Sequence, residues 1–167
     1  MNRAAFTFFL FLFFAGGLIP PNPGRSAADL PEDEIRTTVR KLIDSKGVVF
    51  IQGIHINRDR EGKLRLEIFA NLGSCWGKEE FARIFALEAL KALYLSDLPL
   101  MQVTLNIREK NQNLLTVSLG KNQAEQMNLE QEGSPVSFYE RLRSQMQYGE
   151  DPADSCWLIE KDSRTTP

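Results

Sequence analysis

The sequence predicts an α+β domain, with a four-stranded, largely antiparallel sheet in the order helix, hairpin, core helix, hairpin (αββαββ) and one or two C-terminal helices covering the core helix. Three observations indicate this class. Residues 81–95 have the apolar spacing of a buried helix, two pairs of strand-like segments flank them, and a polar turn joins each pair. A helix between two hairpins covers one face of such a sheet, and the alternating polar residues predict that the other face is wet.

The first predicted element is a surface helix at residues 29–45. Pro31 and the acids that follow it suit a first helical turn, where carboxylates interact favourably with the helix dipole. The apolar residues form one narrow stripe, which predicts an amphipathic helix with one buried side.

The first hairpin is predicted at residues 48–56 and 64–71. The first segment is rich in β-branched residues, and the second alternates apolar with polar residues. The polar turn RDREG lies between them.

The core helix is predicted at residues 81–95, FARIFALEALKALYL. Its apolar residues recur at three- and four-residue spacing, and alanine and leucine are among the strongest helix formers. The polar residues Arg83, Glu88 and Lys91 share one strip of the helical wheel. A helix with so much apolar circumference is buried on more than one side.

The second hairpin is predicted at residues 100–107 and 114–119, which alternate on either side of the polar turn REKNQN. Residues 121–132 are polar, and the sequence leaves open whether they form a helix or a loop. Ser134 and Pro135 then mark the start of an amphipathic C-terminal helix, as N-cap and first helical residue.

The end of the chain contains a short apolar piece at residues 156–159 and a frayed tail at 160–167. We therefore expect a single α+β domain at residues 29–159.

The N-terminus has the layout of a secretory signal peptide. Arg3 precedes an apolar run at residues 4–19, and small residues at Ser26 and Ala28 predict cleavage after Ala28, which makes residues 1–28 the signal. The alternative is a membrane anchor formed by residues 4–19, but the run is shorter than the roughly 20 residues that span a bilayer. We expect an exported protein, periplasmic or extracellular, with a membrane association only if this segment is not cleaved.

The charge of the chain argues against a nucleic-acid partner. The full chain has a formal net charge of −2. Removal of the signal takes away Arg3 and Arg25 and no acid, so the mature chain is more acidic still. The sequence also contains no basic cluster of the kind that contacts phosphates.

The two cysteines, Cys75 and Cys156, predict one disulfide bond, because a minimal even number of cysteines in an oxidising compartment pairs most simply. The alternative is a reactive Cys75 thiol at the start of the core helix, where the helix dipole lowers a thiol pKa. Each cysteine is followed by a tryptophan, so Trp76 and Trp157 form a predicted aromatic corner that packs in the core or presents a binding edge.

No catalytic or metal-binding constellation is recognised. His55 is the single histidine, and neither a zinc-ligand spacing nor a phosphate-binding or serine-hydrolase motif occurs. No cofactor and no metal are therefore expected, and a non-enzymatic role is favoured. A thiol-dependent enzyme with Cys75 as nucleophile and His55 as base is kept as an alternative.

The polar face of the predicted sheet is the candidate binding face, and a protein partner is the expected occupant. Its residues are His55, Arg65, Glu67, Gln102, Thr104 and Asn106. The sequence thus favours an exported binding or assembly module that uses this face or an exposed sheet edge. A small-molecule or peptide binder with a pocket near Trp76 and Trp157 is the second alternative.

Export and the disulfide are tested together by intact mass spectrometry with thiol alkylation of the exported protein. We expect the mass of residues 29–167, no alkylation before reduction, and two alkylated cysteines after it. A retained N-terminus would establish the anchored form instead, and ready alkylation of Cys75 in the native protein would contradict the disulfide.

Overall fold

A computed structural model of the chain describes residues 30–44, 49–73, 78–110, 112–146 and 151–160. The predicted signal peptide, residues 161–167 of the predicted tail, and the predicted partners Cys75 and Trp76 lie outside the described residues.

The described residues contain four α-helices and one five-stranded sheet. The helices are α1 (Glu32–Leu42), α2 (Lys78–Tyr94), α3 (Lys121–Gln126) and α4 (Pro135–Ser144). The strands are β1 (Val49–Arg58), β2 (Leu64–Leu72), β3 (Leu100–Glu109), β4 (Gln112–Gly120) and β5 (Cys156–Glu160). Short 3₁₀ turns follow α3 at Leu129–Gln131 and precede β5 at Pro152–Asp154.

The α+β class is confirmed, but the predicted four-stranded, largely antiparallel sheet in αββαββ order is not matched. The sheet is mixed, with strand order β1-β2-β3-β4-β5, and β2 is parallel to β3. The reason is the return path of α2, which brings the chain back so that the first residues of the two strands, Leu64 and Leu100, are paired. The apolar piece at 156–159 lies within the fifth strand, which pairs with β4 and extends to Glu160.

The helices cover one face of the sheet. On α2 the residues buried against the core are Ala82, Phe85, Ala86, Leu87, Ala89, Leu90 and Leu93. Every second residue of β2, from Leu64 to Leu72, is buried beneath them, because successive side chains of a strand point to opposite faces. α2 also contacts α1 and α4, as expected for a helix with a wide apolar surface.

The carboxylate of Glu160 joins β5 to two helices. Arg83 of α2 donates from Nε to one carboxylate oxygen at 2.9 Å, and Arg143 of α4 donates to the other at 3.2 Å. The hydroxyl of Tyr139 in α4 donates to the carbonyl of Arg83 at 3.2 Å. Charge-assisted hydrogen bonds of this kind are stronger than neutral ones, so the end of β5 is fixed to the helical layer.

The outer edge of β1 is covered by arginines of α1. Arg40 donates to the carbonyl of Ile51 at 3.0 Å, and Arg36 donates to the carbonyl of Ile54. Those carbonyls belong to the edge strand, where unpaired backbone groups would otherwise accept a strand from another chain. This edge of the sheet is therefore occupied by the chain itself.

Two buried tyrosines give the fold a defined response to alkali. The hydroxyl of Tyr94 donates to the carbonyl of Leu119, and that of Tyr139 donates to Arg83. Burial raises the pKa of both phenols well above the usual value of about 10, and for Tyr139 the nearby Glu160 adds to the effect. Both phenols therefore stay protonated in the folded chain.

We expect the free energy of unfolding to fall as pH rises above about 10, because the unfolded chain then releases phenolic protons that the folded chain retains. Below that pH these groups should have no such effect. The measurement is tyrosinate absorbance followed together with circular dichroism during alkaline titration. Absorbance of Tyr94 and Tyr139 should rise only as the fold is lost, and Tyr139→Phe should remove one tyrosinate from that step. Full tyrosinate absorbance in a protein that is still folded would contradict this assignment.

Candidate functional site

The face of the sheet opposite the helices is the candidate site, and it is called the open face below. Its residues follow from strand alternation and register. They are Phe50, Gly53, His55 and Asn57 of β1; Arg65, Glu67, Phe69 and Asn71 of β2; Gln102, Thr104, Asn106 and Arg108 of β3; Thr116, Ser118 and Gly120 of β4; and Trp157 and Ile159 of β5. No described helix packs across its centre.

One corner of the open face is covered by the chain before β5. The 3₁₀ turn at Pro152–Asp154 crosses over Gly120, where a Cβ atom would overlap the carbonyl oxygens of Pro152 and Ala153. Glycine is required there by this close approach of the backbone. Next to this corner, the side-chain amide of Gln102 donates to the hydroxyl of Ser155 at 2.7 Å.

The polar side chains of β3 and β4 bond to one another near that corner. Gln102 also donates to the hydroxyl of Ser118 at 3.1 Å, and the hydroxyls of Ser118 and Thr104 are 2.9 Å apart. Ser118 is fully buried despite being polar. Gln102 and Thr104 were predicted to bind a partner, but their side chains are engaged in this internal network, which satisfies buried polar groups.

A second hydrogen-bond chain crosses three strands and ends at Glu67. The side-chain amide of Asn113 donates to the hydroxyl of Thr116 at 3.0 Å, and that hydroxyl donates to the side-chain oxygen Oδ1 of Asn106 at 3.1 Å. The amide of Asn106 donates in turn to a carboxylate oxygen of Glu67 at 3.0 Å. Each member fixes the orientation of the next, so the carboxylate of Glu67 is held in place.

A partly exposed cluster of side chains surrounds Glu67, the last residue of this hydrogen-bond chain. The second carboxylate oxygen of Glu67 lies 3.6 Å from Nδ1 of His55, whose side chain is 67% exposed. The imidazole of His55 is 5.0 Å from the ring of Phe69, centroid to centroid. From β3, on the other side of β2, the guanidinium carbon of Arg108 lies 5.7 Å from the centroid of the Phe69 ring. His55, Glu67, Phe69, Asn106 and Arg108 are called the open-face cluster.

The ring of Phe69 lies beside a glycine on the neighbouring strand. Gly53 lies opposite Phe69 in the register, and a Cβ atom at Gly53 would come within 3.8 Å of the ring. The ring is only half-buried, so it presents an aromatic surface to the solvent side of the sheet.

The predicted binding residues are thus divided by the structure. His55, Glu67 and Asn106 come together in one cluster, and Arg65 is exposed on the same face. Phe69 and Arg108 were missed. Phe69 stands at a polar-face position of the predicted second strand, which was a usable indication, whereas Arg108 follows the predicted end of the third strand at residue 107.

Cys156 and Trp157 point to opposite faces of β5. Cys156 is fully buried on the helix-covered face, with its sulfur 2.9 Å from the carbonyl oxygen of Gln145. Trp157 lies on the open face opposite Ser118. Because Cys75 and Trp76 lie outside the described residues, the disulfide and the aromatic corner stay predictions.

A separate cavity of about 460 Å³ lies between the end of α2 and α3. Its lining mixes apolar and polar residues: Tyr94, Leu95, Ser96, Leu98, Pro99, Leu100, Lys121, Ala124, Glu125, Asn128, Leu129 and Glu130. Trp157 is not part of this lining, so the cavity is not the predicted pocket beside the two tryptophans.

Within the described residues, no group of three or more histidine, cysteine or acidic side chains is arranged to hold a metal ion. None of the helices in this part of the chain is long and apolar enough to cross a membrane.

The fold and the site define an α+β protein with a mixed sheet, helices on one face, and a polar and aromatic cluster on the other. Comparison with known protein families, curated proteins and solved structures finds no match.

The hydrogen-bond chain to Glu67 is tested by Thr116→Val, which replaces a hydroxyl by a methyl group of similar size. Thr116 is 5% exposed, so the side-chain oxygen Oδ1 of Asn106 would lose a buried donor. We expect the free energy of unfolding to fall by about 1–2 kcal/mol, measured by denaturant titration.

The matched control is Thr38→Val, since Thr38 is half-buried on α1 and no side-chain hydrogen bond of its hydroxyl is found among the described residues. This variant should change stability by only a few tenths of a kcal/mol, as exposed or unbonded sites do. Equal losses of unfolding free energy in the two variants would contradict a stabilising role for the hydrogen-bond chain that ends at Glu67.

Proposed function

We propose that this protein is an exported, non-enzymatic binding module whose partner-contacting surface is the open-face cluster together with Arg65. The observation that carries the proposal is that the side chains of this cluster are fully or partly exposed and yet held in position by contacts with one another. Glu67 receives a hydrogen bond from Asn106, and Phe69 lies between His55 and Arg108.

Fixed and exposed side chains favour binding, because a partner then loses little affinity to the ordering of the surface. The cluster also has the composition of a protein interface, where aromatic residues and arginine are enriched. Export is supported by the N-terminal sequence, with its basic residue, apolar run and small residues before the predicted cleavage site.

The face is a better candidate than the β1 edge. Addition of a strand to an edge requires free backbone carbonyls, and those of Ile51 and Ile54 accept hydrogen bonds from Arg40 and Arg36. A partner at that edge would have to displace two arginines first.

A second candidate function is the binding of a small ligand, favoured by the cavity between α2 and α3. Its volume of about 460 Å³ falls within the range of about 300 to 1,000 Å³ that is usual for ligand pockets. The thiol-enzyme alternative stays a prediction, since it depends on Cys75.

The main proposal is tested by photo-cross-linking in cells of the source organism. A benzoylphenylalanine residue would replace Asn57 or Ile159, which lie on the open face outside the cluster, or Lys41 or Glu140, which are exposed on helices. We expect cross-linked adducts from the first two positions and none above background from the last two. Adducts from the helical positions alone would contradict the proposal.

A further inference from the structure

We infer that the open face recognises an acidic segment of a partner polypeptide, in which a carboxylate side chain stands close to an apolar or aromatic one. Arg108 would bind the carboxylate, and the rings of Phe69 and Phe50 would contact the apolar side chain. This inference rests on the proposed binding function and adds the chemistry of the partner.

Apart from Arg60 in the β1–β2 turn, the arginines of the described residues fall into two groups. On the helical side and at the β1 edge, each has an oxygen partner: Arg36, Arg40, Arg58, Arg83, Arg141 and Arg143 contact a carboxylate or a backbone carbonyl. On the open face, the guanidinium groups of Arg65 and Arg108 have no hydrogen-bond or ion-pair partner among the described residues. Arginine binds carboxylates through paired hydrogen bonds, and the guanidinium groups of Arg65 and Arg108 can form such a contact with a partner.

The charge of the open face is opposite in sign to that of the whole chain. Among the strand residues of the open face, two are basic, Arg65 and Arg108, and one is acidic, Glu67, while the chain as a whole has a net charge of −2. A partner with acidic side chains is therefore attracted to this face.

The position of Arg108 favours a paired contact. Its guanidinium lies against the ring of Phe69, which limits its freedom through a cation–π interaction and leaves its N–H groups without an acceptor. Glu67, on the neighbouring strand, would repel a second carboxylate placed beside His55. The partner's acid is thereby directed toward Arg108 and away from Glu67.

The aromatic residues favour a polypeptide over a purely polar polymer. Phe50 is 56% exposed and lies in the same cross-strand row as Asn71 and Arg108. Phe69 is in the next row. A face that carries an arginine against one ring and a second exposed ring two strands away can bury an apolar side chain near an ion pair, which is a combination found at the centres of protein interfaces.

The experiment selects phage-displayed random peptides against the exported protein and measures the affinity of the selected peptides by fluorescence anisotropy. We expect selected sequences rich in Asp or Glu next to aromatic or aliphatic residues, with an affinity that falls as salt is raised. Arg108→Gln should weaken binding roughly tenfold or more, because a charge-assisted contact is lost, and Arg108→Lys should weaken it less.

Arg60→Gln is the matched control. Arg60 is also exposed and without an oxygen partner among the described residues, but it lies in the β1–β2 turn, at the opposite end of the sheet from Arg108. It should leave affinity within about twofold, since charges that far apart are screened. Circular dichroism of each variant would establish that the fold is retained.

Selected peptides that are neutral or basic would overturn the inference, as would equal losses with Arg60→Gln and Arg108→Gln, or a library without any binder. Binding of heparin at the open face in place of acidic peptides would overturn it too. If peptides lose affinity with Phe69→Ala but not with Arg108→Gln, the proposed function stands and only the acidic class of partner fails. If neither substitution has an effect, the peptide data oppose the open face itself.

Discussion

The burial of α2 against the sheet is the constraint on which the rest of the structure depends. Its wide apolar surface packs on β3 and β4 and contacts both α1 and α4, so the large apolar side chains of the core gather on one side. The crossover through α2 also makes β2 and β3 parallel neighbours. These two consequences leave the opposite face of the sheet without a helical layer among the described residues, and polar side chains are retained there.

A sheet face without a covering layer must satisfy its own polar groups. Thr104, Ser118 and Gln102 form one set of hydrogen bonds, and Asn106 and Thr116 form another that ends at Glu67. The two sets differ in outcome, because the first is closed over by the chain before β5, whereas the second supports side chains that reach solvent. Hydrogen bonds between polar side chains thus form a covered network at one end of the face and support a candidate binding surface at the other.

Local sequence patterns predicted most of the elements but not how they pair. The spacing in residues 81–95 predicted α2, and β-branched residues or alternation predicted four strands, since these are properties of short segments. The pairing of Leu64 with Leu100 depends on the path of the chain through α2, which no local pattern records. Arg108 and Phe69 were missed for a related reason: their meeting is a consequence of the register between β2 and β3.

A long connection separates β5 from the other four strands of the sheet. β1 to β4 and α2 follow one another closely, whereas β5 joins the sheet only after α3, α4 and two short turns, and it is five residues long. Loss of its pairing with β4 would leave the other four strands intact and would expose Val117 and Leu119 at a new edge. We therefore expect amide hydrogen exchange in β5 to report an opening of the sheet that is separable from global unfolding, with the ion pairs of Glu160 contributing to its free energy.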